Sequence, residues 1–154
     1  MRKLAAVLAA VFLLVLFSGT ALAWFAAVEG VPGALHQAEK GIFIWHDNEG
    51  IHIRGVSKHQ RTVFTGTVET NGRFYAIQER GLEGGDHLRV DGDHNTLRFR
   101  FTVHGGVDGV DFRVQGGNRL SFVLDTNGRN AHPADINVGR EGWHPGDNRF
   151  TLWR

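Results

Sequence analysis

Short alternations of apolar and polar residues recur from residue 41 to the C-terminus. Gly- and Asn-rich turn signals separate them, and no sustained helical period interrupts them. These three observations predict an all-β fold: an antiparallel two-sheet β-sandwich of nine or ten short strands, jelly-roll-like in one arrangement, following an N-terminal signal peptide. The chain has 154 residues, 42% of them hydrophobic, with 21 Gly, 3 Pro and no Cys. That suffices for one cored domain. The lack of Cys excludes disulfides, thiolate zinc sites, a cysteine nucleophile and a lipid-bearing N-terminal cysteine.

Residues 1–23 read as the leader. Arg2 and Lys3 precede an unbroken apolar run over residues 4–17, and Ala21-Leu22-Ala23 places small residues at the −3 and −1 positions. The run is shorter than the ~20 residues a membrane span needs. Cleavage removes two of the 17 basic residues and leaves 15 against 16 acidic ones. A nearly neutral chain argues against nucleic acid as a partner, and it offers no polybasic tether to a membrane. Residues 24–40 form an irregular lead-in with a turn at Pro32-Gly33 and at most a turn or two of helix from Ala34. The β-sandwich domain is expected over 41–154.

The first expected hairpin joins Phe43 and Trp45 to Ile51 and Ile53 through a three-residue bulged turn at Asp47-Asn48-Glu49-Gly50. That register sets Trp45 opposite Ile53 and His46 opposite His52. Asn71-Gly72 signals a second hairpin, with Val68 opposite Tyr75 and Gly66 opposite Ile77, so that Phe64, Val68, Tyr75 and Ile77 make one apolar face. Gly66 leaves a gap for a large neighbour. Leu88 and Val90 lead through Asp91-Gly92-Asp93-His94-Asn95 into Leu97, Phe99, Phe101 and Val103, the clearest period-2 stretch. Val110, Phe112 and Val114 follow, then Leu120, Phe122 and Leu124. Ile136 and Val138 suggest a short strand, and Phe150, Leu152 and Trp153 a closing one. The expected core includes Trp45, Ile53, Phe64, Phe99, Phe101, Phe112, Phe122 and Leu124.

Several clusters invite chemical readings. Asp108 and Asp111, with Glu83 and Asp86, supply carboxylates of the kind glycosidases pair, but nothing in the sequence raises one pKa and lowers the other. Exposed turn acids, or pairs with Arg113, Arg98 or Arg100, are the simpler expectation. Asp91, Asp93 and Asn95 have the alternating oxygen spacing of a Ca2+ loop. Thr96 and Thr102 stand where an EF-hand needs Gly and Glu, so a plain turn is preferred and no cofactor is assigned. His46, His52 and His104 lack a located fourth zinc ligand. Neither Ser57 nor Ser121 sits in a nucleophile elbow. Arg98 and Arg100 are expected to face solvent beside Arg113 or Arg119. Asp111 or Asp125 would intervene and make a mixed ladder rather than a bare cationic groove.

The loop over residues 140–148 is the best binding candidate. Trp143 offers a flat apolar ring beside the polar groups of Arg140, Glu141 and Asn148, and Gly142, Pro145 and Gly146 shape the turn. The alternative is an indole folded back as a plug over one end of the fold. Residues 99–114 (FRFTVHGGVDGVDFRV), with 136–139 (INVG), resemble small exported bacterial β-domains of unknown function. That resemblance implies a β-sandwich outside the cytoplasm and carries no catalytic residues. The expectation is therefore an exported, non-enzymatic binding or adhesion domain with a glycan or an extracytoplasmic protein as ligand. A self-associating structural subunit of envelope or matrix is the alternative, and a secreted hydrolase the lesser one.

Overall fold

The computed structural model describes residues 33–125, 131–139 and 148–154. The expected leader, Trp24 and the tip of the 140–148 loop lie outside them. One short helix, α1 (Gly33–Gln37), occupies the end of the segment expected to be irregular. Ten strands follow: β1 (Lys40–Asp47), β2 (Gly50–Ser57), β3 (Thr62–Thr70), β4 (Arg73–Arg80), β5 (His87–Val90), β6 (Thr96–Val103), β7 (Gly106–Gln115), β8 (Arg119–Asp125), β9 (Ile136–Val138) and β10 (Arg149–Trp153). They form two five-stranded sheets, in the order β4-β7-β2-β1-β9 for the first and β10-β8-β3-β6-β5 for the second. The pairing is antiparallel with one exception: β9 runs parallel to β1, which corrects the expectation of wholly antiparallel sheets. Among the described residues no helix is long and apolar enough to cross a membrane.

The main core draws on both sheets, Ile44, Ile53 and Phe112 from the first meeting Phe64, Phe99, Phe101 and Phe122 from the second in one cluster. All eight residues expected in the core are buried. The gap at Gly66 is filled as expected: a Cβ there would lie 2.5 Å from Cζ of Phe99, its cross-strand partner.

The first hairpin forms in a different register. Its loop is Asn48-Glu49 alone, Asp47 pairs with Gly50, and Trp45 faces His52 instead of Ile53. A shift of one residue turns every side chain to the other face. Ile42, Ile44, Ile51 and Ile53 therefore enter the main core, while Phe43, Trp45 and Val56 join Leu35 of α1 in a second cluster outside the first sheet. Strand β1 is apolar on both faces, so alternation could not select between the two registers.

The expected β3–β4 hairpin does not form. β3 lies in the second sheet and β4 in the first. The strands instead make nested antiparallel pairs, β5 with β6, β4 with β7 and β3 with β8, around the turn at residues 91–95. Both legs of this long folded ribbon change sheets together. At one corner Asn71 Oδ1 accepts the amides of Asn118 and Arg119, and its Nδ2 donates to Asn118 Oδ1. A Cβ on Gly72 would lie 2.3 Å from the carbonyl oxygen of Gly116, so the legs cross where neither has bulk. Asn-Gly here makes a tight corner between the two sheets; its preference for a sharp bend is satisfied without strand pairing.

Candidate functional site

The edge strand β4 pairs only with β7, and its register jumps from Tyr75 opposite Arg113 to Gln78 opposite Asp111. Three steps along β4 match two along β7, which defines a β-bulge. Ala76 sits within it at φ 49°, a left-handed conformation that costs a non-glycine residue about 1–3 kcal/mol. The extra residue reverses the alternation. Tyr75, Gln78 and Arg80 come to share the outer face of the first sheet, while Phe74 and Ile77 pack on the core. This corrects the expectation that Tyr75 and Ile77 lie on one face.

The bulge borders a cleft of about 430 Å³, with Tyr75, Gln78, Arg113 and Glu49 around it and His52 and Asp111 among its lining. Asp111 is the hub beneath it. Its Oδ1 accepts from His52 Nδ1 at 2.7 Å and from Arg54 Nη2 at 2.5 Å, and its Oδ2 from Arg80 Nε at 2.6 Å. Burial alone would raise the Asp111 pKa; the hydrogen bonds from His52, Arg80 and Arg54 outweigh it and hold the carboxyl below its ordinary range. On its other nitrogen His52 meets Asp47 Oδ1 at 2.8 Å. Both hydrogen bonds of the ring to carboxylates are made when both nitrogens carry protons. Asp47 also accepts the Glu49 amide at 2.8 Å. Burial pushes its pKa up, and His52 with the loop amides brings it below the usual value.

The surroundings hold this network in place. The His52 ring stacks on Trp45 with centroids 4.8 Å apart, and the Arg54 guanidinium lies 5.5 Å above the indole. Arg54 also donates to the carbonyls of Ile53 and Val110. It can lie flat because its cross-strand partner is Gly109, where a Cβ would fall 2.1 Å from the Ile53 carbonyl oxygen. Arg113 Nε donates to the Glu49 carbonyl at 2.9 Å and ties the first hairpin loop to β7.

Arg140, Glu141 and Trp143 lie outside the described residues. Asn148 is half-buried, and its carbonyl accepts the Leu124 amide at 2.8 Å. Asp91 spends its Oδ1 on the amides of Asn95 and Thr96, at 3.1 and 3.2 Å, as a turn residue does. Asp93 is exposed at the tip of that turn. Among the described residues, no group of three or more His, Cys, Asp or Glu side chains is arranged to hold a metal ion. His46 faces Ile51 across the hairpin and not His52, and His104 is exposed in the turn after β6.

The carboxylates divide differently from the expectation. Asp108 is pushed up to about 6, by burial first and then by Asp86 and Glu83, while Asp111 is lowered. One acid is thus raised and the other lowered. The two lie three positions apart on one strand, on opposite faces, and do not form a facing pair. Asp111 pairs with Arg54 and Arg80, not with Arg113, Arg98 or Arg100.

The sequence reading missed the His52–Asp111 network. The signal was present: His52 and Arg54 alternate with Ile51 and Ile53, and Asp111 alternates with Val110 and Phe112. Two strands that each place opposite charges behind an apolar stripe make a cross-strand ionic cluster once they are neighbours. Their adjacency, β2 beside β7, is a matter of topology.

No family model, curated protein or solved structure matches this chain.

Proposed function

We propose that this protein is a non-enzymatic binding module that acts outside the cytoplasm after its leader is removed. Its two sheets would stack as a β-sandwich of jelly-roll-like kind, and the cleft beside Tyr75 would take a glycan. The carrying observation is the combination at that cleft: an exposed aromatic ring, set by a strained bulge, above a floor of ionised groups already paired. An aromatic face with planar polar groups beside it suits a sugar ring. A pre-ordered floor supports binding because little must be immobilised when the ligand arrives. The floor also favours binding over turnover, since Asp111 is engaged by three donors and holds no proton to transfer. Export is supported by the basic start, the apolar run and Ala21-Leu22-Ala23. The loop with Arg140, Glu141, Trp143 and Asn148 is proposed as a separate ligand contact, on the sequence pattern alone.

A glycan array on the exported protein, followed by calorimetry with the best neutral oligosaccharide, tests this. Tyr75→Ala is expected to weaken binding about tenfold or more while the melting temperature stays within a degree or two. Full affinity in Tyr75→Ala, or no neutral glycan bound, would overturn the cleft as the site.

A further inference from the structure

The outer face of the second sheet carries a different arrangement. The register lays two rows of side chains across it. One row runs Arg89, Arg98, Thr67, Val123 and Arg149; the next runs His87, Arg100, Thr65 and Asp125. Arg98 and Arg100 therefore stand beside Arg89 and His87, and not beside Arg113 or Arg119. Asp111 belongs to the other sheet, and Asp125 lies two strands away from Arg100. The expected mixed ladder is absent on this bank. Neighbouring strands are about 4.8 Å apart, so Arg89 and Arg98 face each other as like charges, an unfavourable pairing unless something neutralises it. Arg89, Arg98, Arg100 and Arg149 are all exposed, and none makes a hydrogen bond or ion pair among the described residues. Asp91, at the end of this bank, has its carboxylate on backbone amides and also feels the charge of Arg98, which leaves Arg89, Arg100 and Arg149 without a nearby acid of this kind among the described residues.

The relief of the face matches its charge. Thr65 and Thr67 on the central strand β3 are short and form the bed of a groove of about 400 Å³, with Arg98 and Arg100 along one side and Val123 and Asp125 along the other. An elongated polymer with regularly spaced negative charges fits such a trough. Guanidinium groups recognise carboxylate and sulfate oxygens in a bidentate way.

We infer that this face binds an acidic polysaccharide, its carboxylate or sulfate groups meeting Arg89, Arg98, Arg100 and Arg149 across the threonine groove. A sugar polymer is favoured over nucleic acid for two reasons. The face also presents Asp125, Glu69 and two threonine hydroxyls, groups that suit the many hydroxyls of a sugar ring, which a nucleic-acid backbone offers sparsely. In addition, the whole chain carries a formal charge of only +1, without the broad positive field that nucleic-acid binding uses.

The test measures binding of the full chain to alginate (uronate) and to dextran sulfate (sulfate ester). Neutral dextran and a single-stranded oligonucleotide serve as comparisons. The expected result is binding to at least one acidic polymer and not to neutral dextran, with affinity falling about tenfold or more as screening rises from low to high salt. Arg98→Gln/Arg100→Gln, and separately Arg89→Gln, should each lower affinity several-fold or more with unchanged thermal melting. Lys58→Gln, a cation removed elsewhere on the surface, should not. The inference is overturned by equal binding to neutral dextran, by no acidic polymer bound, by tighter binding to the oligonucleotide, or by glutamine variants that bind as wild type. Loss in the arginine variants reports on this face, and loss in Tyr75→Ala on the cleft, so either can fail alone.

Discussion

The outer faces of the two sheets start from comparable material, arginines and histidines alternating with apolar residues on the core side, and end in opposite states. On the first sheet His52, Arg54 and Arg80 converge on Asp111, and Phe43, Trp45 and Val56 are covered by Leu35 of the short helix. On the second sheet Arg89, Arg98, Arg100 and Arg149 stand in solvent without a hydrogen bond or ion pair among the described residues, and only Arg98 feels a nearby acid, Asp91. Two features account for the difference. On the first sheet one acid, Asp111, accepts from His52, Arg54 and Arg80, whereas on the second Glu69 lies on the strand beside Arg98 without a hydrogen bond or ion pair to it. The first sheet also has aromatic side chains beside its cations, which exclude water and strengthen each ionic contact. A charged face closes when its cations share one buried carboxylate; otherwise it stays available to a charged ligand.

The sharpest way to break this contrast is to remove what closes the first face. Trp45→Ala takes away the indole under His52 and Arg54 and is expected to cost about 3–5 kcal/mol in urea unfolding. A loss below about 1 kcal/mol would mean that the second cluster contributes little to the fold. Asp111→Ala should be nearly as severe, about 3 kcal/mol or more, because it strands the Arg54 and His52 donors in a buried place. Arg54→Met should then recover part of that loss in the double variant, and strict additivity of the two would argue against the network.

The response to pH sharpens the comparison further. The pKa values of Asp111 and Asp47 are lowered in the folded chain, so their contribution is present above their unfolded pKa. It is lost as pH falls below about 4, through their folded values. Asp108 works the other way. With its folded pKa raised to about 6 by burial, Asp86 and Glu83, the folded chain binds more protons than the unfolded one between its ordinary value and pH 6. The Asp108 contribution therefore falls as pH rises through that window. Asp108→Asn should raise the melting temperature at pH 7–8 and leave it nearly unchanged near pH 4. Equal effects at both pH values would refute the assignment.

The smallest effect is expected on the open face. Arg98→Ala and Arg100→Ala should each change stability by no more than about 0.5 kcal/mol, and their pairing with ligand should show only in binding. A loss above about 1.5 kcal/mol from either would indicate that these arginines have partners within the fold and that the face is closed after all.

Much of this architecture was legible residue by residue. Period-2 alternation identified every strand from β5 to β8, and Asp91 through Asn95 form the expected turn, because a strand buried on one side must alternate and a turn must supply its own hydrogen bonds. The sequence by itself determined the all-β class, the core phenylalanines and the large neighbour filling Gly66. Three things were decided only by tertiary structure. The β1–β2 register was settled by two apolar faces competing for burial, one against the core and one under α1, a choice that local pattern leaves open. The sharp bend at Asn71-Gly72 became a corner between the two sheets and not a hairpin, because turn chemistry specifies the bend and not what the next strand pairs with. The cleft at Tyr75 depends on a bulge and on β2 lying beside β7, strands whose paired residues are 61 positions apart at Ile51–Phe112 and 49 at Ser57–Gly106. Long-range pairing of this kind is selected by the whole core, since no segment of the chain contains both partners.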